Sequence, residues 1–338
     1  MISKRSLALA GASIAVLALT ACTSTTSEGG ASVADAAPEG GLPALEQQEN
    51  YTVGFSAQQS DHPWTIAFNT SIEEEAEARG DRIIVTDAQG STAKQIADVE
   101  SLIAQGVDVI IISPREEKPL AEVTLKAKEA GIPVFIVDRA IDDEVAVAGE
   151  DYVAYIGSDF YQEGYRAGEW LMEQLPDGGT VVELTGTTGS SAADDRGQGF
   201  ADAIEGAGID VVASQDGNFV RDSGRQLMEA LAQQYPDANA VFAHNDEMAL
   251  GAITALEAAG ITPGQDMLVV SVDGQREALQ AIIDGKLGAT VECNPRFGPA
   301  VFDAIHAYGA GDAVEPFVVN EDNFYDINNA ESELPNAY

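Results

Sequence analysis

From Tyr51 onward the chain alternates short apolar runs with amphipathic stretches, roughly every 20 to 30 residues. The runs Thr52–Ser56, Arg82–Thr86, Val107–Ile112, Ile132–Val137 and Tyr152–Ile156 read as strands. So do Thr180–Leu184, Asp210–Ala213, Ala240–Ala243, Met267–Ser271 and Ala289–Val291. Between them apolar residues fall at helical spacing, as in Ile96, Val99, Leu102 and Ile103, or Leu227, Met228 and Leu231. Gly80, Gly106, Gly131 and Gly260 stand at the expected helix ends, where a left-handed residue closes the last turn. Strands alternating with helices predict an α/β fold with parallel sheets covered on both faces. Ten strands make an overlarge single sheet, so two sheets of about five are expected, dividing after Ile156 at Gly157-Ser-Asp159.

The 338 residues fit two domains of ordinary size. Seventeen Lys and Arg against 56 Asp and Glu give a net charge of −39, which excludes a nucleic-acid partner and docking on anionic lipid through a basic face. Two cysteines, Cys22 and Cys293, build no disulfide framework, and three histidines (His62, His244, His306) make a zinc site or other metal centre unexpected.

Lys4 and Arg5 precede an apolar stretch from Leu7 to Leu19, followed by Thr20-Ala21-Cys22. This is the pattern of a secretory signal, and the stretch is short for a permanent span of a bilayer about 30 Å thick. A cysteine directly after Leu-Thr-Ala resembles a bacterial lipobox, in which Cys22 is lipidated and becomes the first mature residue. Residues 23–50 are rich in Ser, Thr, Gly, Ala, Glu and Pro and read as a flexible tether. The expected location is the outer face of the cytoplasmic membrane, with the body held there by its lipid.

Ligands of open parallel sheets bind beyond the carboxyl ends of the strands, so the polar residues at those ends are the candidates for a site. The strand exits carry Asp61-His62-Pro63-Trp64, Asp138-Arg139, Gly186 to Arg196, Asp216 to Phe219, His244-Asn245-Asp246 and Asp273-Gly274. Asp accepts hydrogen bonds, Arg donates in a planar fork, Asn does both, and Trp64 and Phe219 offer apolar faces. That set matches a sugar, with hydroxyls around its rim and C–H faces above and below. Each residue also has a structural reading: Asp138 and Arg139 as an internal ion pair, Arg196 as a loop anchor to Asp195, Asn245 and Asp246 as helix cap and first turn, Trp64 as core. Their recurrence at successive exits favours a shared cleft.

Other chemistries lack their parts. There is no G-x-G-x-x-G after the first strand, no P-loop and no G-x-S-x-G elbow, so neither a nucleotide cofactor nor an acyl-transfer triad is expected. Asp216-Gly-Asn218 begins like a calcium loop, but Leu227 stands where a bidentate Glu is needed. A glycosidase needs two positioned carboxylates. Asp138 and Asp273 are available, but Arg139 and Arg196 are expected to hold their pKa values low and spoil a general acid.

Further segments sharpen the class: Val53-Gly-Phe-Ser56, Ala104-Gln-Gly-Val-Asp108, Ile132 to Arg139, Val182-Glu-Leu-Thr-Gly186, Ser190 to Arg196, Phe242 to Met248, Pro263-Gly-Gln-Asp266, Val272-Asp-Gly274 and Asp284-Gly-Lys286. In order and spacing the chain from Tyr51 to Tyr338 resembles the type I periplasmic sugar-binding proteins of the ribose-binding class, and within it the galactofuranose-binding branch that serves ABC importers. The resemblance implies two doubly wound lobes joined by a three-strand hinge, lobe one being 51–157 plus 294–323 and lobe two 158–293 plus 324–338. It implies that Trp64 stacks on a monosaccharide, that Asp138 and Arg139 bind its hydroxyls from lobe one, and that Arg196, Asn245 and Asp273 do so from lobe two under Phe219. His62, Thr65 and Cys293 are further ligand-binding candidates. Thr65 replaces a second aromatic of ribose binders, leaving room or a hydrogen bond for another sugar, and Cys293 stands at their hinge glutamine. The implied protein is a monomer without cofactor, a non-enzyme that hands its sugar to an ABC permease. A signal receptor that presents a sugar or autoinducer-like ligand to a membrane sensor would share this body. The related lactose-repressor family shares it too, but lacks the lipobox and carries a DNA-binding headpiece that is missing ahead of Tyr51.

Overall fold

The computed structural model describes residues 41–338; the signal-like segment, Cys22 and the tether to residue 40 lie outside the described residues. Among the described residues the strands are β1 (Thr52–Ala57), β2 (Arg82–Asp87), β3 (Val109–Ile112), β4 (Val134–Val137), β5 (Ala154–Gly157) and β6 (Gly179–Thr185). They continue with β7 (Ile209–Asp216), β8 (Ala240–Ala243), β9 (Leu268–Asp273), β10 (Ala289–Glu292), β11 (Phe317–Val319) and β12 (Phe324–Asp326). The helices are α1 (Pro63–Arg79), α2 (Thr92–Gln105), α3 (Glu117–Glu129), α4 (Phe160–Gln174), α5 (Ser191–Ile204), α6 (Arg221–Gln234), α7 (Asp246–Ala259), α8 (Arg276–Ile283), α9 (Gly298–Gly309) and α10 (Ala330–Glu333).

The strands form two six-stranded sheets, in the orders β11-β5-β4-β3-β1-β2 and β12-β10-β9-β8-β6-β7. Pairing is parallel throughout except between β10 and β12. Strands β3, β4 and β8 are buried along their whole length, as expected of central parallel strands covered by helices on both faces. We call each sheet with its helices a lobe. The chain passes between the two sheets after β5, after β10 and between β11 and β12. The three crossings are hydrogen bonded to one another: Asn320 N donates to Gly157 O (2.8 Å), Asn320 Nδ2 to Asn294 O (2.8 Å), and Asn294 N to Asp322 Oδ1 (2.8 Å).

Three details depart from the sequence reading. Each sheet has six strands rather than five, because β11 and β12 are three-residue edge strands with too few positions to show a period. Strands β3, β4 and β5 each start two residues later than expected, at Val109, Val134 and Ala154. Strand β7 continues through Ser214, Gln215 and Asp216, polar residues that an exposed edge strand tolerates. The stretch assigned to the tether also ends early. Pro43 O accepts a hydrogen bond from Tyr308 (2.6 Å), Leu45 packs on the core, and Gln48 N donates to the Tyr51 hydroxyl (3.3 Å). No helix of the described residues is long and apolar enough to cross a membrane.

Candidate functional site

The carboxyl ends of both sheets face one cavity. It is lined by Trp64, Asp138, Arg139, Arg196, Phe219, Asn245 and Asp273, by His62, Thr65 and Cys293, and by Gln58 and Ala192. Local structure explains how each is delivered. His62 is the extended N-cap of α1 (φ −141°), Pro63 starts the helix, and Trp64 follows at the cavity wall. Asp138 leaves β4, Asp273 ends β9, Asn245 caps α7 after β8, Cys293 follows β10, and Arg196 stands in the second turn of α5.

Several of these residues hold unusual backbone. Asp138 (φ 66°), Asn218 (φ 55°), Phe219 (φ 60°) and Asp273 (φ 131°) have positive φ without being glycine. Such conformations cost roughly 1–3 kcal/mol each and cluster where side chains must be aimed. Gly186 is obligatory for the same arrangement, since a Cβ there would lie 1.8 Å from the Phe219 ring.

From the first lobe, Asp138 Oδ2 accepts hydrogen bonds from Gln58 Nε2 (2.9 Å) and Ser113 Oγ (3.3 Å), while the Tyr155 hydroxyl donates to Asp138 O (2.7 Å). Arg139 Nε stands 3.9 Å from Asp138 Oδ2, a loose contact, and the guanidinium lies over the Phe219 ring 4.9 Å from its centroid. The Trp64 indole N–H donates to Cys293 O (2.7 Å), and its ring stacks on Phe68 at 5.2 Å. Trp64 therefore belongs to the core on one face and to the cavity on the other. The Thr65 hydroxyl is occupied, donating to His62 O (3.0 Å) and accepting from His62 N (3.4 Å). The hydrogen bond that the sequence left free for a ligand at Thr65 is thus spent on capping α1.

From the second lobe, Arg196 Nε donates to Glu163 Oε2 (2.6 Å) and Nη1 to His244 O (2.7 Å). Its anchor is Glu163 on α4 and not Asp195, because successive residues on one helix diverge while α4 packs directly against α5. Asn245 Oδ1 accepts from Met248 N (2.9 Å) and Nδ2 donates to Phe219 O (3.2 Å), so the cap also fixes the Phe219 loop. Asp246, the first helical residue, turns inward to Ser271 Oγ (2.5 Å) and Thr290 Oγ1 (2.8 Å).

Some polar atoms are left over. The Asp273 residue is 5% exposed, lines the cavity, and its carboxylate accepts no hydrogen bond among the described residues. Gln58 Oε1 and His62 Nδ1 are buried and unpartnered as well. Buried polar groups are normally satisfied, and each exception calls for a partner. Gln58 and Glu163 were missed in the sequence. Gln58 stands one residue past β1 and obeys the strand-exit rule; Glu163 gave no signal, since only helix packing brings it to Arg196.

Charge in the cavity runs against the sequence expectation. Burial pushes the Asp138 carboxyl up to about 6, against the downward pull of Arg139 and Arg196. Burial, then the neighbouring charge of Asp246, raises Asp273 well above the ordinary carboxylate value. Desolvation outweighs the arginines that were expected to hold both low. Burial lowers Arg139 to about 10 and also lowers His62, and it raises the Cys293 thiol. Burial would lower Arg196 too, but Glu163, together with Cys293 and Asp273, more than offsets it and keeps the guanidinium charged.

The two lobes are closed on each other. Arg115 Nη2 donates to Asn218 Oδ1 (2.8 Å), Glu117 N to Gly189 O (3.1 Å), and Ala140 N to Ser191 Oγ (2.9 Å), each across the cleft. Such a site can surround a small neutral polyol with donors and acceptors from both sides.

Comparison with known proteins agrees with this geometry. Residues 53–311 match the periplasmic binding protein domain. The chain is 37% identical over 289 residues to the galactofuranose-binding protein YtfQ of Escherichia coli (strain K12), covering 84% of this chain and 90% of that protein. It is 39% identical over 248 residues to the ribose import binding protein RbsB of Bacillus subtilis (strain 168), covering 73% and 78%. A crystal structure from Mycobacterium smegmatis in complex with β-D-fucofuranose superposes with a TM-score of 0.81 at 41% identity, covering 84% of this chain and 94% of that one.

Proposed function

The chain belongs to the periplasmic binding protein family, and from that premise we propose that it captures a monosaccharide of the hexofuranose class, galactofuranose or a close relative, for an ABC importer. The observation that carries this reading is one cavity between two lobes, lined by the Asp273 carboxylate, which no donor of the described residues reaches, and by the buried, unpartnered Gln58 Oε1 and His62 Nδ1. A buried carboxylate without donors costs several kcal/mol until hydroxyls reach it. A sugar supplies those hydroxyls, and its C–H faces fit against Trp64 and Phe219. The names of the relatives support a furanose: one is a galactofuranose binder and one is in complex with a fucofuranose.

In this mechanism the lobes open and close about the three crossings. A sugar touches Asp138 and Arg139 on one side, and Arg196, Asn245 and Asp273 on the other, only when they are closed. Its differential contacts shift the population toward the closed form. Closure then marks the loaded protein for the permease. The arginines and carboxylates bind and orient; Gln58 and Ser113 hold Asp138 Oδ2, and the loose 3.9 Å contact leaves Asp138 Oδ1 and Arg139 Nε to hydroxyls. Lipidation of Cys22 would keep the loaded protein beside its permease and raise its effective concentration there.

Calorimetric titration with galactofuranose, fucofuranose, ribose and pyranose hexoses tests the proposal. Saturable binding with a hexofuranose tightest is expected. A folded protein that binds none of these sugars contradicts it.

A further inference from the structure

Behind the cavity, β9 ends on Asp273, and the carbonyl of that residue is held twice. Cys293 N, at the end of neighbouring β10, donates to Asp273 O (3.1 Å), and so does the Tyr338 hydroxyl (3.1 Å). The first bond continues the ladder between two parallel strands. The second comes from 65 positions away in sequence, from a residue that belongs to neither sheet. On the other side of the same peptide, Gly274 N donates to Thr290 Oγ1 (3.2 Å). Both polar groups of the Asp273–Gly274 peptide are therefore pinned at the place where the backbone is most strained, with φ 131° at Asp273 and φ 79° at Gly274. A residue other than glycine stays in such a conformation only where its surroundings over-determine it.

Tyr338 reaches this carbonyl on a strap, Pro335–Tyr338, that follows α10. Every carbonyl of the strap accepts a hydrogen bond. Arg276 Nη2 donates to Pro335 O (3.4 Å) and Ala337 O (2.8 Å), Arg276 N to Tyr338 O (2.9 Å), and Arg296 Nη2 to Asn336 O (3.0 Å). Arg276 opens α8 of the second lobe, while Arg296 leads into α9, which packs on α1 of the first. The donor is thus seated by both lobes at once. Burial raises the Tyr338 phenol well above its ordinary value, and the charges of Asp273 and Asp246 push the same way, so the hydroxyl keeps its proton and stays a donor.

We propose that Tyr338 is a positioning residue for the sugar site: its hydroxyl fixes the Asp273–Gly274 peptide and so aims the Asp273 carboxylate into the cavity. This rests on the reading of Asp273 as a sugar ligand given above. Tyr338 is not among the residues lining the cavity and acts only through Asp273.

Two readouts of Tyr338→Phe test the proposal, and one needs no sugar. Phenylalanine keeps the ring and removes the donor, and circular dichroism checks that the variant folds. Crystal structures of the sugar-free parent and variant, grown in one crystal form, read the strained peptide directly. The Asp273–Gly274 peptide is expected to rotate in the variant and the Asp273 carboxylate to move with it; an unchanged peptide and carboxylate overturn the proposal. The second readout is calorimetric titration with the tightest-binding sugar of the panel above. Affinity is expected to fall about three- to tenfold in Tyr338→Phe, the size of one lost neutral hydrogen bond. Added to Asp273→Asn, the same substitution is expected to cost nothing further, because residues that act through one another are not additive. An equal loss in both backgrounds marks a merely structural role and overturns the proposal, as does a folded Tyr338→Phe that binds sugar like the parent. A parent that binds no sugar instead overturns the function proposed above, and the sugar-free crystal structures still decide whether Tyr338 positions Asp273.

Discussion

Asp273 concentrates the physics of the site in one side chain. Its backbone is held at φ 131°, and its carboxylate meets no donor among the described residues, so both backbone and side chain cost stability there. Because its folded pKa is raised, its contribution to stability falls as pH rises from the unfolded carboxylate value toward the folded one. Asp273→Asn is therefore expected to weaken sugar binding by about 1.5–3 kcal/mol, the worth of a hydrogen bond to a charged group, while leaving the ligand-free melting temperature at pH 7 equal or higher. Calorimetry and thermal melts of the same variant check both halves. Asp138 supplies the pH dependence. Burial pushes its carboxyl up to about 6, and hydroxyls donating to it lower that value in the complex, so binding is expected to expel a proton. Affinity should fall as pH drops through 6, by up to about tenfold per unit, and titrations in buffers of different ionisation heat should show the released proton. The types of residue at the strand exits were legible in the sequence. The direction of these titrations was not, since burial depends on how closely two lobes approach.

At the scale of elements, loops and caps position the aromatic face. Phe219 sits between β7 and α6 with positive φ, its carbonyl held by Asn245 Nδ2 and its ring resting over Gly186. Gly186→Ala should push the ring into the cavity, cost roughly 1–3 kcal/mol of stability, and weaken sugar binding while secondary structure persists. Thermal melts paired with a sugar titration read this out. Asn245→Ala removes both the α7 cap and the bond to Phe219 O, and is expected to cost about 0.5–2 kcal/mol, measured by denaturant unfolding. The succession of strands along the chain was legible in the apolar runs, because central parallel strands are buried on both faces. The edges escaped: β11 and β12 are three residues long, and the exposed half of β7 is polar. The α4–α5 contact that pairs Glu163 with Arg196 escaped too, although Gly164 records it, since a Cβ there would lie 2.0 Å from Arg196 O.

For the molecule as a whole, closure is the functional coordinate. The Arg115 to Asn218 bond spans the cleft outside the sugar cavity and fastens only the closed form. Asn218→Ala should therefore shift the ligand-free population toward open and weaken sugar affinity by roughly tenfold without touching the ligand. Small-angle scattering with and without sugar checks the shift. The most direct measurement for the molecule is a crystal structure grown with a hexofuranose. The sugar is expected between the lobes, within hydrogen-bond distance of Asp138, Arg196, Asn245 and Asp273 together. A sugar held by one lobe alone, or an empty cleft in a crystal saturated with ligand, would contradict the shared site.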